Sequence, residues 1–198
     1  MADTGIHHIE AVPYFSLWAV EVAVAHPVVV DSAVLVVEAA ALAAAGRAHG
    51  GDEMRTKEFL SKLEHNQIVD AIRAAESKTS GQIRVYIQRG KLNADPLMVA
   101  QKKFHRLQMY KTSERNAVLI FIAPRAHKFA VVGDQAIHER CGEEFWQQVV
   151  DGMRGHFQKE KFSRAIVEGI EEVGKLLAVH FPKTPTLANE LPDDVIER

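Results

Sequence analysis

Two segments of the chain have the hydrophobic pattern of β-strands. Residues 82–88 alternate, with β-branched residues on one face and polar residues and a tyrosine on the other, which predicts a strand that is buried on one side. Residues 117–123 are apolar at every position, as in a central strand covered by helices on both faces. The chain then turns at residues 124–126 into a partner strand that begins at Lys128, in a tight hairpin.

Apolar residues recur every three or four positions in five other segments, and this spacing predicts helices. The predicted helices cover residues 56–63, 66–78, 95–107, 143–157 and 162–181. The second is expected to begin with an asparagine cap, and the third begins with Asp-Pro, a cap followed by proline at the first helical position.

The predicted elements follow the order α-β-α-β-β-α-α. A strand-helix-strand crossover is right-handed, so the helices divide over both faces of the sheet. We therefore predict an α/β fold, a three-layer α/β/α sandwich with a small mixed sheet built on a βαββ core and flanked by helices.

The first 53 residues differ in composition from the rest of the chain. They are rich in Ala and Val, and they hold seven acidic residues and one basic residue, whereas the remainder holds 19 and 23. Three interpretations stay open for residues 1–53: a capping extension, a degenerate targeting segment, or translated upstream sequence before a start at Met54. We favour the third, because residues 51–53 can be encoded by a purine-rich stretch. The main domain is then expected over residues 54–182, with a disordered tail over residues 183–198.

A membrane span or signal peptide is not predicted. Three acidic residues and Pro27 interrupt the apolar region of residues 11–46, so no stretch reaches the roughly 20 apolar residues of a spanning helix. No Lys or Arg precedes Arg47, so the basic start of a secretory signal is missing.

Charge and cysteine content exclude further classes. The net charge of -2 and the pI of about 6.6 provide no general attraction to nucleic acid. The single cysteine, Cys141, excludes an internal disulfide framework and a multi-cysteine zinc site. We expect a cytoplasmic protein that binds no nucleic acid.

Polar residues cluster after the second hairpin strand, at Asp134, His138, Glu139 and Arg140. Strand ends in α/β sheets are where ligands tend to bind. Three further residues are candidates for the same edge of the sheet: Glu76, Arg84 and Asn116.

Two kinds of chemistry fit these residue types. Glu76, Asp134 and Glu139 are candidate ligands for Ca²⁺ or another divalent cation, although no D-x-D-x-D-G loop supplies the six to eight oxygens that Ca²⁺ prefers. Asp134 and His138 are candidate catalytic groups for a phosphatase, with Arg84 or Arg140 as an anion clamp. No P-loop, G-x-S-x-G or C-x5-R motif accompanies them.

A structural interpretation competes with both. Asp134 then forms a turn or caps a helix, and residues 138–140 form a solvated helical turn. Asn116 satisfies backbone groups, and a single thiol such as Cys141 without an identified base is inert. We favour this interpretation.

Four segments resemble motifs of the TPM-domain family. Residues 75–85 (Ala-Glu-Ser-Lys-Thr-Ser-Gly-Gln-Ile-Arg-Val) resemble its "E-x-x-T-x-x-E-I-x-V" region, and residues 116–123 resemble its "N-x-V-L-L-x-x-A" strand. Residues 132–138 resemble the turn after its hairpin, and residues 157–169 resemble a helix entry "F-x-x-G-x-y-x-x-A-I-x-x-G". The resemblance covers residues 62–181.

The resemblance implies the same sandwich fold and a compact bacterial member without a membrane anchor. Acid phosphatase activity and calcium binding are attributed to some members of the family, and others are anchored in membranes. A single Gly133 stands where many members have Gly-x-Gly. We expect a non-enzymatic binding or accessory module that acts on a protein or membrane-associated partner; the alternative is a metal-dependent acid phosphatase that hydrolyses phosphomonoesters. The oligomeric state stays open.

Overall fold

The computed structural model describes residues 36–39, 59–183 and 189–198, and within them a five-stranded mixed sheet forms the centre of the fold, in the order β1-β4-β3-β2-β5. The strands are β1 (Val36–Ala39), β2 (Gln82–Ile87), β3 (Ala117–Ala123), β4 (Lys128–Gly133) and β5 (Val195–Glu197). Strands β2 and β3 are parallel, and β4 runs antiparallel to both β3 and β1. The C-terminal strand β5 runs parallel to β2 and adds to its outer edge.

Helices cover both faces of the sheet. They are α1 (His65–Glu76), α2 (Pro96–Arg106), α3 (Gln135–Phe157) and α4 (Phe162–His180). Helices α1, α3 and α4 share one hydrophobic core with one face of the strands, and α2 packs in a second core on the other face. The predicted three-layer α/β/α sandwich is therefore confirmed.

Strand β3 joins the two cores. All seven of its residues are buried. Val118, Ile120 and Ile122 belong to the core under α1, α3 and α4, whereas Leu119 and Phe121 belong to the core under α2. Burial on both faces is what the unbroken apolar run predicts.

Strand β2 departs from its predicted one-sided burial. All of Gln82–Ile87 is buried, including the polar side chain of Arg84. Tyr86 packs in the same core as α2 and Ile196 of the C-terminal strand. Helix α2 and the C-terminal strand therefore bury the face of β2 that the alternating pattern predicted to be exposed.

Two helix starts also differ from the pattern. Helix α1 begins at His65, and the backbone N–H of Glu64 at its cap position donates to the Ser163 hydroxyl 2.8 Å away, so Asn66 is not the cap. Helix α3 begins earlier than predicted, at Gln135, and Gly142, where φ is 67° and ψ is 177°, divides it into two parts, of which the second matches the predicted helix of residues 143–157. Glycine tolerates this positive φ, which interrupts the helical spacing of the residues around it.

The last strand contradicts the predicted tail disorder for residues 189–198. Val195–Glu197 pairs with residues 85–87 of β2, because an uncovered sheet edge offers unpaired N–H and C=O groups. From residues 1–53, Val36–Ala39 forms β1 against β4. The other residues of that segment lie outside the described residues, and its origin as translated upstream sequence stays a prediction.

Candidate functional site

One end of the sheet gathers several of the predicted polar residues, and strand direction explains why. Because β4 is antiparallel to β3, Asp134 lies beside the start of β3, and its N–H donates to the carbonyl oxygen of Ala117 at 2.9 Å. Gln82 is the register partner of Ala117 across the parallel pair. We call this end of the sheet, with Glu76, Gln82, Asn116 and Asp134, the polar end.

The polar end holds the amino ends of the parallel strands β2 and β3, not their carboxyl ends. Ligand crevices in open α/β sheets lie at the carboxyl ends of parallel strands. In this sheet those ends are Ile87 and Ala123, on the opposite side. The general rule on strand ends therefore does not support a ligand site at the polar end. Such a site can be inferred only from the side chains found there.

Asp134 is engaged in structural contacts. Its side chain is wholly buried, and its two carboxylate oxygens each accept from the Arg115 guanidinium at 2.9 Å. One of the oxygens also accepts from the N–H of Gln135 at 2.8 Å, which caps helix α3. This confirms that Asp134 is a helix cap, as the structural interpretation expected.

Residues 138–140 of helix α3 have different surroundings. Glu139 is exposed and accepts from the Gln135 amide at 2.9 Å. Arg140 donates to the carbonyl oxygen of His180 at 2.6 Å and lies over the ring of Phe181, at 4.4 Å, so it fastens the end of α4. His138 is half-buried. These contacts make residues 138–140 part of the helix surface.

The carboxyl group of Glu76, at the polar end, has a pKa far from its ordinary value. Glu76 ends helix α1, is 6% exposed, and accepts from the N–H of Ile83 at 2.7 Å through Oε1. Its second oxygen, Oε2, is buried and accepts no hydrogen bond. Burial raises the pKa of Glu76 to about 8, the negative charge of Asp193 adds to the rise, and the Ile83 hydrogen bond opposes it. In the protonated acid, a side-chain hydrogen bond to the carboxylate of Asp193 also raises the pKa. Glu76 is therefore mostly protonated at neutral pH.

Glu76 lines a cavity of about 170 Å³. The lining residues are Arg73, Glu76, Ser77, Thr79, Ser80, Gln82, Lys183, Asn189 and Asp193. Lys183 donates to the backbone oxygen of Glu76 at 3.0 Å, and Arg73 lies 3.5 Å from Asp193. The C-terminal segment thus forms one wall of the cavity.

The sequence patterns missed Arg73, Lys183 and Asp193 as site residues. The last two lie in the segment that was predicted to be disordered. A signal was present in Asp193-Asp194-Val195-Ile196-Glu197, where a β-branched pair lies between acidic residues at the chain end. Such a pair suits a short edge strand.

The remaining candidates lie near the cavity wall or farther along β2. The Asn116 amide donates to the Ser80 hydroxyl at 3.1 Å, and its backbone oxygen accepts from the N–H of Gln82. Arg84 is buried and donates to Asp194 at 2.7 Å. Neither residue contributes to the contacts of Asp134, which are with Arg115 and Gln135.

A metal-ligand set is not formed by the described residues. No three His, Cys, Asp or Glu side chains among them are grouped so as to hold a metal ion. The candidate ligands Glu76, Asp134 and Glu139 instead accept hydrogen bonds from Ile83, Arg115 and Gln135.

The thiol of Cys141 is half-buried. Burial raises its pKa to about 11, against the opposing charge of Arg140. Because the thiolate is the reactive form of cysteine, this environment favours an unreactive thiol.

Fold and site together define an α/β/α-sandwich domain whose polar end is closed by the C-terminal segment. The chain belongs to the TPM domain family: residues 54–176 match the family model. This confirms the resemblance drawn from the sequence motifs. The function of the family is unclear.

A solved structure supports the same assignment. The NMR structure of the BA42 protein from the psychrophilic bacterium Bizionia argentinensis sp. nov. is 35% identical in sequence, with a TM-score of 0.65. The similarity covers 68% of this chain and 92% of that one. No curated protein matches the chain. Within the described residues, none of the helices is long and apolar enough to span a membrane.

Proposed function

We propose that this chain is a non-enzymatic binding or accessory module that acts on a protein or membrane-associated partner. The observation that carries the proposal is the state of Asp134, the candidate catalytic carboxylate. It is wholly buried, and Arg115 and the N–H of Gln135 occupy its oxygens. A nucleophile or metal ligand must present an oxygen to its substrate or ion, and this one presents none.

A second observation supports the proposal. Gln82 stands where the TPM motif has its second Glu. Its side-chain oxygen accepts from the N–H groups of Glu190 and Leu191 at 3.1 and 2.9 Å, so it holds the C-terminal segment. An amide cannot act as a general base, and although its oxygen can bind Ca²⁺ it brings no negative charge to the cation. The side-chain oxygen of Gln82 is in addition engaged by the C-terminal segment. The chain has a single cysteine and so forms no internal disulfide, which suits a cytoplasmic location.

A phosphatase assay on the full chain separates the proposal from its rival. The chain is incubated with a generic phosphomonoester, with and without Mg²⁺, Mn²⁺ or Ca²⁺, beside the variants Asp134→Asn and Glu76→Gln. We expect no turnover above buffer for any of the three proteins. Metal-dependent turnover that either variant abolishes would overturn the binding-module proposal.

The binding role has its own measurement. The full chain is cross-linked in extracts of its source cells, the cross-linked protein is identified, and binding is then reconstituted from the two purified proteins. We expect a saturable complex in calorimetry. A rise in melting temperature with Ca²⁺, without turnover, would mark the module as metal-stabilised. Failure of every identified protein to bind in purified form would count against the proposal.

A further inference from the structure

The outer edge of β2 is covered by an acidic segment of the same chain. Residues 189–198 contain four acidic residues and one basic residue. The edge they cover is basic: Arg84 pairs with Asp194 at 2.7 Å, Arg89 pairs with Glu197, and Arg73 lies near Asp193. The edge and its cover are thus complementary in charge.

Residues 189–198 hold the edge of β2 by main-chain hydrogen bonds and by one buried apolar side chain. The N–H of Arg89 donates to the carbonyl oxygen of Arg198 at 2.8 Å, and the N–H of Arg198 donates to that of Ile87 at 3.1 Å. Ile196 is buried beside Tyr86 and provides an apolar anchor. Main-chain hydrogen bonds together with pockets for alternate side chains are how proteins bind extended peptides at a sheet edge.

The chain's own segment uses only part of this edge. It pairs with three of the six residues of β2, Val85 to Ile87. In the same register Pro192 would stand opposite Gln82, where it has no N–H to donate to a longer ladder. In the ion pair between Arg84 and Asp194, the arginine is only 9% exposed but the aspartate is 64% exposed, so water has access to the acidic partner. A strand without proline can pair along the whole of β2 and displace this short segment.

We infer that the outer edge of β2 is a docking site for an extended acidic segment of a partner protein, and that residues 189–198 occupy it as an internal competitor. The inference rests on the proposed binding function and names the site and the chemistry of the partner. Gln82, Arg84 and Arg89 are its recognition residues along β2. The internal segment keeps the edge covered until the partner arrives, which protects an otherwise exposed strand from non-specific pairing.

A labelled peptide tests the inference. The probe is a fluorescein-labelled peptide with the sequence of residues 189–198 in which proline is replaced by valine, and binding is followed by fluorescence anisotropy. The full chain is compared with Ile196→Asp, which releases the internal segment because a carboxylate is costly to bury in the apolar core. The matched control is Val179→Asp, which adds the same charge at a position that is 74% exposed.

We expect Ile196→Asp to bind the peptide at least about tenfold more tightly than the unchanged chain or Val179→Asp, because apparent affinity scales with the fraction of molecules whose edge is open. Adding Arg84→Glu to the released chain should remove that gain. A peptide with lysine in place of its acidic residues should not bind. A folded Ile196→Asp chain, judged by circular dichroism, that gains no affinity would overturn the inference.

Hydrogen exchange on the unchanged chain covers the case in which Ile196→Asp fails to fold. We expect the Arg198 amide to exchange much faster than the amides of β3, and faster still when the peptide is added. Protection of Arg198 as strong as that of β3 would show that β5 is a permanent strand and would overturn the inference.

Three other outcomes can be told apart. A concentration-dependent dimer that Ile196→Asp abolishes would assign the edge to the exchanged segment of a second copy and overturn the assignment to a partner protein. Turnover of a phosphomonoester would refute the proposed function without changing the anisotropy result. Failure of peptide binding without turnover would refute only the docking site.

Discussion

The replacement Glu76→Gln should change the pH dependence of folding in a defined direction. The pKa of Glu76 is about 8 in the folded chain against an ordinary value of 4.5. Between these two values the folded chain holds one proton that the unfolded chain has released. The unfolding free energy of the native protein therefore falls as pH rises, by about 1.4 kcal/mol per pH unit from this group alone.

The stabilisation is complete below the unfolded pKa and is lost as pH rises through the folded pKa. Over the whole window the loss is on the order of 5 kcal/mol, the product of the shift and the energy per pKa unit. Glutamine keeps the shape of the protonated acid and can still accept from the N–H of Ile83, but it releases no proton. The variant should therefore lack this part of the pH dependence, and it should exceed the native chain in stability near the upper end of the window.

Urea unfolding of the native chain and of Glu76→Gln, at several pH values between about 5 and 8, measures the effect. The difference between the two slopes isolates Glu76, because all other titrating groups are common to both proteins. Glu139→Gln is the matched control, since it makes the same replacement at an exposed position of helix α3. Parallel curves for the native chain and Glu76→Gln would show that Glu76 is ionised in the folded state and would refute the reasoning.

Three other predictions concern packing and reactivity. Arg115→Met should lower the unfolding free energy, measured in urea, by about 2–4 kcal/mol, because it leaves the buried charge of Asp134 without its partner. A loss below about 1 kcal/mol would show that the pair contributes no more than an exposed ion pair. Gly133→Ala should lower stability by about 1–3 kcal/mol, since a Cβ there would lie 2.6 Å from a tryptophan ring. At Gly155 a Cβ would meet no atom within 4 Å, so Gly155→Ala should instead raise stability by up to about 1 kcal/mol. Thermal unfolding compares the two variants, and equal effects would contradict both predictions. Cys141 should react with iodoacetamide at mildly alkaline pH about a hundredfold more slowly than a thiol with a pKa of 9, and a rate equal to that of free cysteine in the same assay would refute its burial.

The central part of the fold could be predicted because its signals are local. The apolar run of residues 117–123 and the following turn define β3 and β4 without reference to the rest of the chain. The motifs of residues 75–85 and 157–169 then placed the chain in the family that its sequence matches. Periodicity and turn chemistry are sufficient where neighbouring residues decide the structure.

The C-terminal strand could not be predicted in the same way. Its β-branched pair is compatible with a strand, but three residues are too short a pattern to predict one, and β5 exists because β2 offers an edge about 110 residues earlier in the chain. The part of α3 before Gly142 was not predicted as a helix, for a related reason. Gly142 breaks the helical period locally, while the cap contributed by Asp134 depends on strand β4 just before it.

The roles of the site residues depend on the same long-range contacts. The sequence favoured Asp134 as a cap, but it could not name Arg115 as the partner, because Arg115 lies 19 residues earlier and reaches Asp134 only through the antiparallel β3–β4 pair. Glu76 looked like an ordinary carboxylate, and its raised pKa comes from burial and from Asp193 of the C-terminal segment. Residue type alone could therefore name these groups but not their ionisation or availability.

The C-terminal segment links the polar end of the sheet to the edge of β2. Asp193 lines the cavity of Glu76, and two residues later the same segment pairs with β2. When the segment leaves the edge, water reaches Glu76 and the negative charge of Asp193 moves away, and both changes lower the pKa of a carboxyl group. Displacement is then accompanied by proton release, so by linkage a higher pH favours the open edge. Docking on β2 and ionisation of Glu76 therefore both depend on the same equilibrium between the covered and the open edge of the strand.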